Sequence, residues 1–448
     1  MNRLKSILAA CSRTALAGIF WIAVRLFYDV EFRGLEHVSG EQPVYFAMAH
    51  KRDLDPIVEV PTVLAHRGWW ALVRDVRFAM RSDAFSQGFL ARIVMHPRWF
   101  ARILRPLSVR AIVRHLGIRP LENLHGRPAE TWIRDWLRRE GDGPAGDILT
   151  SAFLQEMATS VGEDYQKMKT YQLSHLLSWH YQESLQPFYS ADIFAEPARG
   201  RAKNDVLIEL KQQLAVLGAW LSSGGSLWGA PEGQLSPHGT LSPITAALYR
   251  VLRVGPPDTC VVPIFIIYDF MTARRPRIFV DVAPAIERAV LLSPQELGTQ
   301  LRHAWLLNAR FTCTQLASGF LVQASRAAVP SFTPDDLARE IGQQAVTLAA
   351  AGRQVDRRLF YPRTARKLAA AFLKYAVRHK LVQRIGRRTW IPTIGELVIQ
   401  VRPGEVGYRQ APLAYAWNEL QEMLGAGRIP TRGIPTMDEH PRPGVKYP

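Results

Sequence analysis

His50 and Asp55 stand five positions apart in His50-Lys51-Arg52-Asp53-Leu54-Asp55, and together these residue types can move a proton. A carboxylate bonded to one imidazole nitrogen fixes the tautomer. It leaves the other nitrogen as a base and stabilises the imidazolium that forms. The neighbouring sequence is suited to holding such a pair. Val44-Tyr45-Phe46-Ala47-Met48-Ala49 reads as a buried strand, and Asp53 to Pro56 reads as a helix start. The spacing carries little by itself. With 12 His and 18 Asp in 448 residues, about half a chance match is expected from composition, and a lone histidine is ordinarily structural.

Two further stretches follow in order. Leu227-Trp228-Gly229-Ala230-Pro231-Glu232-Gly233 is a short apolar strand running into Pro-Glu-Gly, and Val261-Val262-Pro263-Ile264-Phe265-Ile266-Ile267 is a strand with a proline near its start. Taken in sequence, His-x4-Asp, Pro-Glu-Gly and Val-Pro-Ile resemble the glycerolipid acyltransferase superfamily, which includes the glycerol-3-phosphate and 1-acylglycerol-3-phosphate acyltransferases. The resemblance covers about residues 30–290 with a gap in the middle, and it keeps the family's serine as Ser236, three positions after Gly233.

The resemblance implies a membrane-associated enzyme of phospholipid biosynthesis. It would move a fatty acyl group from an acyl-CoA or acyl-carrier-protein thioester to a hydroxyl of a glycerol-phosphate or lysophospholipid acceptor. His50 would be the general base, oriented by Asp55. Glu232, Gly233, Arg119 and Ser236 would bind the acceptor, while Pro263 and Gly117 would line the pocket. No cofactor or metal is implied, since the thioester is a substrate. No serine nucleophile elbow and no positioned cysteine is visible in the sequence, which fits direct attack without an acyl-enzyme. Backbone amides at the helix start after Asp55 are candidate oxyanion donors.

The chain departs from the family pattern where the family carries arginines. Asn123 aligns with an expected arginine after Gly117 and Leu121, and Gln234-Leu235-Ser236 replaces an Arg-Ser pair after Glu232-Gly233. Those arginines are the expected phosphate clamp, because a guanidinium fork pairs bidentately with phosphate oxygens. Lys51, Arg52, Arg119 and Arg127 are candidate replacements. The alternative is an acceptor without phosphate, such as a hydrophobic or glycosylated lipid alcohol.

Composition restricts the partners. A net charge of +17 at pI ≈ 10.1 calls for an anionic partner: nucleic acid, an anionic membrane surface or a phosphorylated substrate. No zinc spacing, RNA-binding aromatic motif or helix-turn-helix signature supports nucleic acid. Of 56 basic residues, 46 are Arg, and they are spread along the chain rather than gathered in a tail. Cys11, Cys260 and Cys313 form no framework, which suits a reducing compartment and the cytoplasmic face of a membrane. Residues 1–28 read as an amphipathic helix, with Leu16, Ile19, Phe20, Ala23, Val24 and Phe27 at helical spacing. The longest uncharged run there, Thr14 to Val24, is 11 residues and too short to span a bilayer. A catalytically inactive lipid-binding homologue is the competing class.

The expected architecture is α/β, a central mixed sheet flanked by helices, with a helical insertion and a C-terminal helical region. Residues 1–28 form the surface helix and 29–290 the acyltransferase domain. The insertion falls at about 124–203, the helical region at 291–427 and a loose tail at 428–448. Strands are expected at 28–33, 44–49, 69–74, 226–230, 260–267 and 277–283, with another strand position led into by 116–121. Helices are expected over 55–65, in several segments from 75 to about 115, and over 205–222, 244–252, 294–327, 334–352, 363–386 and 411–425. The stretch 363–388 holds nine Lys or Arg and no acid, which suits either a lipid surface or a solvated basic face of a helix packed on the core.

Overall fold

Seven strands hydrogen-bond into one mixed sheet: β1 (Asp29–Arg33), β2 (Val44–Met48), β3 (Val76–Arg81), β4 (Ile118–Leu121), β5 (Ser226–Gly229), β6 (Cys260–Asp269) and β7 (Arg277–Val282). Their spatial order is β1-β7-β6-β2-β5-β3-β4. All neighbours are parallel except the β6–β7 hairpin. The computed structural model describes residues 24–38, 43–52, 76–81, 118–122, 126–393 and 411–425, except 234, 237, 274, 328–330 and 387–388. Scattered positions between 11 and 22, and positions 55 and 58, are also described.

Every residue of β2, β5 and β6 is buried, as continuous apolar strands are when both faces of a sheet are covered. On one face Phe46, Phe78, Trp228, Val262 and Ile264 form a core that includes Val24 of the N-terminal helix. On the other, Tyr45, Ala47, Leu227, Val261, Phe265 and Ile267 meet the C-terminal helices.

The insertion follows β4. Its two longer helices before residue 198 are α1 (Ala129–Glu140) and α2 (Ser151–Val161), and it builds a separate core around Trp132, Ile133, Leu154, Met157 and Phe194. The 25-residue α3 (Ala198–Ser222) begins seven residues before the expected start. Its Ala198, Ala202 and Val206 lie in the insertion core, whereas Leu214, Leu217 and Leu221 lie in the main one. Then come α4 (Ala246–Leu252), α5 (Pro294–Asn308), α6 (Cys313–Arg326), α7 (Pro334–Ala350), α8 (Pro362–Arg378) and α9 (Pro412–Gly425).

Three expectations need correction. Residues 76–81 are strand β3, where helix was expected; 69–74 lie outside the described residues. The Val-Arg-Phe alternation suits a strand because the Arg77 guanidinium lies over the Trp220 ring, 4.3 Å from its centroid. The expected helix 294–327 is two helices, because Arg310-Phe311 pairs with Gln354-Val355 and Thr312 opens α6 with a capping box. The expected helix 363–386 ends at Arg378. Lys380 takes a positive φ of 56°, and the chain turns into a hairpin pairing Val382–Arg384 with Trp390–Pro392.

Candidate active site

β2 and β5 are adjacent parallel strands, so the loops leaving their C-terminal ends meet at one corner of the sheet. His50 leaves β2 and Glu232 leaves β5. The His50 amide donates to Glu232 Oε1 at 2.9 Å, and the His50 carbonyl accepts from the Ser236 amide at 2.8 Å. His50 is thus held by its own main chain on both sides.

Asp55 completes the pair. Its Oδ2 lies 3.2 Å from His50 Nδ1 and accepts from the amides of Lys51 (2.6 Å) and Arg52 (2.7 Å). Its Oδ1 accepts from the Tyr268 hydroxyl. Tyr268 can reach it because β6 continues to Asp269, whereas β2, registered Met48 to Ile264, stops. With that many donors, Asp55 acts as an acceptor, so His50 Nδ1 carries the proton and Nε2 carries the lone pair. The His50 side chain is 17 % exposed and Asp55 is fully buried, so the imidazole has access while its carboxylate partner is shielded.

Glu232 is 2 % exposed, and both its oxygens are taken by main-chain donors, His50 N and Ser242 N. Burial pushes its carboxyl up to about 7, opposed by Lys51 and by those two N–H groups. Such a group organises the corner; it is not placed to make the acceptor contact expected from the sequence. Gly233 has φ +69° in the turn where its amide bonds Ala230 O, a conformation suited to glycine. Ser236 is buried, with its hydroxyl given to Thr240 O at 2.6 Å, so it is not set up as a nucleophile.

The remaining expected residues scatter. Pro263 is buried within β6 opposite Ala47, beneath the corner. Arg119 is exposed on the edge strand β4, three strands from β2, roughly 14 Å at about 4.8 Å per strand. Arg127 is buried in the insertion, paired with Glu122 and Asp135 over the Trp132 ring. Gly117, Asn123, Gln234 and the segment after Asp55 that would supply oxyanion amides lie outside the described residues. Among the clamp candidates, Lys51 and Arg52 are at the corner. Arg52 lies over the rings of Tyr268 (4.2 Å) and Phe270 (4.4 Å).

Sequence reasoning missed Tyr268, Ser242 and the acids of α9. Their partners are distant in the chain. The one available signal was Glu419, an acid on a helix whose neighbours Tyr415, Ala416, Leu420 and Met423 are apolar and buried.

No protein-family profile matches the chain, and no curated protein matches it. Among solved structures, the 1-acyl-sn-glycerophosphate (LPA) acyltransferase PlsC from Thermotoga maritima is similar over 67 % of this chain and 93 % of that one, at 10 % identity and a TM-score of 0.28. A superposition that loose bears on neither activity nor ligand, so any chemistry has to rest on the corner formed by β2, β5 and β6.

Proposed function

We propose that the chain is an acyltransferase carrying an acyl group from a thioester to a lipid alcohol, with His50 as general base. One observation carries this reading: a partly exposed imidazole at a parallel-strand end, with Nδ1 on a buried carboxylate that three further donors fix in place. Nε2 takes the proton of the acceptor hydroxyl as its oxygen attacks the thioester carbonyl carbon. As the tetrahedral intermediate collapses, the C–S bond breaks and the departing thiolate receives that proton from His50. No residue is acylated. That fits a corner where Ser236 is committed to Thr240 and where Cys260 and Cys313 are buried in the core.

The same reading places the protein on an anionic membrane surface. Ile19, Ile22, Leu26 and Phe27 are 61–69 % exposed while Val24 packs inward, so the helix presents apolar side chains outward. Arg363, Arg366, Lys367, Lys374 and Arg378 are exposed along α8, and each basic residue near such a surface contributes about 1 kcal/mol. Among the described residues no helix is long and apolar enough to cross a membrane. Sedimentation with anionic vesicles, weakened by salt, is expected. Equal binding to neutral vesicles would end the electrostatic part.

The activity is tested with radiolabelled acyl-CoA and acyl-carrier protein against glycerol-3-phosphate, lysophosphatidate and a non-phosphorylated lipid alcohol, read by thin-layer chromatography. One acceptor is expected to be acylated, with a loss of about 10²–10⁴-fold in His50→Ala. Wild-type turnover by a well-folded His50→Ala protein would sink the mechanism.

A further inference from the structure

We infer that α9, from the far end of the chain, is part of the catalytic unit: its Glu419 positions His50 through the buried Lys51. The inference rests on the acyl-transfer reading of the corner.

Lys51 directly follows the base and is 1 % exposed. Its Nζ donates to Gly239 O at 2.9 Å, lies 3.4 Å from Glu419 Oε1 and sits 5.1 Å from the Phe265 ring centroid. Glu419 Oε2 accepts from Gln315 Nε2 at 2.6 Å, and Gln315 closes the capping box of α6. An apolar pair would fill such a site at no loss of stability, whereas removing one member of a buried ion pair leaves a stranded charge. A charged pair beside the base is therefore better explained by geometry than by stability.

A second set of contacts points the same way. The loop 236–242 holds His50 at both main-chain groups, through Ser236 N directly and through Ser242 N on Glu232. That loop rests on α9. Asn418 Nδ2 donates to His238 O at 3.0 Å, and Leu241 N donates to Glu422 Oε2 at 2.6 Å. The Tyr415 carbonyl oxygen sits 2.2 Å from where a Cβ on Gly239 would stand, so only glycine, here at φ +91°, lets helix and loop close up. The Glu422 carboxylate is tied in turn to Arg302 of α5. The helix thus braces His50 at its amide, its carbonyl and its neighbour's side chain.

Charge makes the role testable apart from packing. The charged groups around this corner are His50, Lys51, Arg52 and Asp55 from the motif loop, Glu232 from the β5 loop, Glu419 and Glu422 from α9, and Arg302 from α5. Removing the negative charge in Glu419→Gln is expected to shift the His50 titration, followed by NMR of its ring nitrogens, to lower pH. Removing the positive charge in Lys51→Met shifts it upward. In Glu419→Gln, kcat is expected to fall about 10- to 100-fold, with KM for thioester and acceptor within about twofold. A purely structural pair would leave kcat per folded molecule unchanged.

The double substitution Lys51→Met with Glu419→Leu removes both charges and packs as an apolar pair, which guards against misfolding of the single variants. It is expected to fold and to remain slow. Wild-type turnover together with an unmoved His50 titration in folded variants would overturn the inference. The NMR readout stands even if no acceptor is acylated, so its failure is distinguishable from failure of the acyl-transfer reading.

Discussion

The corner around His50 and the insertion after β4 bury different things. At the corner Lys51, Asp55, Glu232 and Glu419 are all at most 5 % exposed, and each is met by a partner. In the insertion the buried side chains are mainly apolar. Most of its ion pairs, such as Arg134–Glu130, Arg199–Glu196 and Arg201–Glu140, lie toward solvent, where they contribute little. Burying charge is costly, and it is tolerated where a geometry has to be fixed. The two regions also differ in sign. Residues 126–206 hold nine Lys or Arg against twelve Asp or Glu, a net of −3, which leaves +20 on the remainder. The insertion is therefore the end that an anionic surface would turn away.

Substitutions in the two regions should separate activity from stability. The largest effect is expected from Asp55→Asn. Asparagine can keep its one oxygen toward His50 and the two amides by turning its N–H₂ to the Tyr268 hydroxyl, but it has no charge to stabilise the imidazolium, so kcat is expected to fall about 10²–10⁴-fold. Near-normal turnover would show that the carboxylate serves the loop and not the imidazole.

Next comes Leu154→Ala in the insertion, where Leu154 is fully buried. A cavity there is expected to cost about 2–5 kcal/mol of stability while turnover per folded molecule stays within about twofold. Parallel loss of turnover would erase the distinction and make the insertion part of the site.

The smallest effect concerns pH. Burial raises Glu232 from 4.5 to about 7, so between those values the folded chain holds a proton that the unfolded chain releases. Stability from this group therefore grows as pH falls through that window, and at higher pH the ionised group costs up to roughly 3 kcal/mol. The melting temperature of wild type relative to Glu232→Gln is expected to rise from pH 8 to pH 5. A constant difference would place Glu232 in the ordinary glutamate range.

His50, Asp55 and Glu232 were legible because local signals frame them: apolar runs that can only be buried strands, followed by residues that turn the chain. The mixed sheet was legible for the same reason. What escaped was set by distant partners. Arg77 reads as a surface helix residue until Trp220 provides a ring to lie on. Arg310 and Phe311 read as helix until Gln354 and Val355 provide a strand. Nothing near Lys51 in sequence announces Glu419, and a lysine after His50 reads as solvated when it is among the most deeply buried side chains.

The shared helix α3 has a mechanical consequence. At about 1.5 Å per residue its 25 residues run roughly 37 Å, with the first turns gripped by one core and the last turns by the other. A helix anchored at both ends has no loop to absorb rotation, so on this side the insertion cannot swing as a hinged lid. Unfolding of one core would have to break the rod in mid-span or pull the other with it. Excision at the sequence borders of the insertion would leave Leu214, Leu217 and Leu221 on a helix stripped of its first turns.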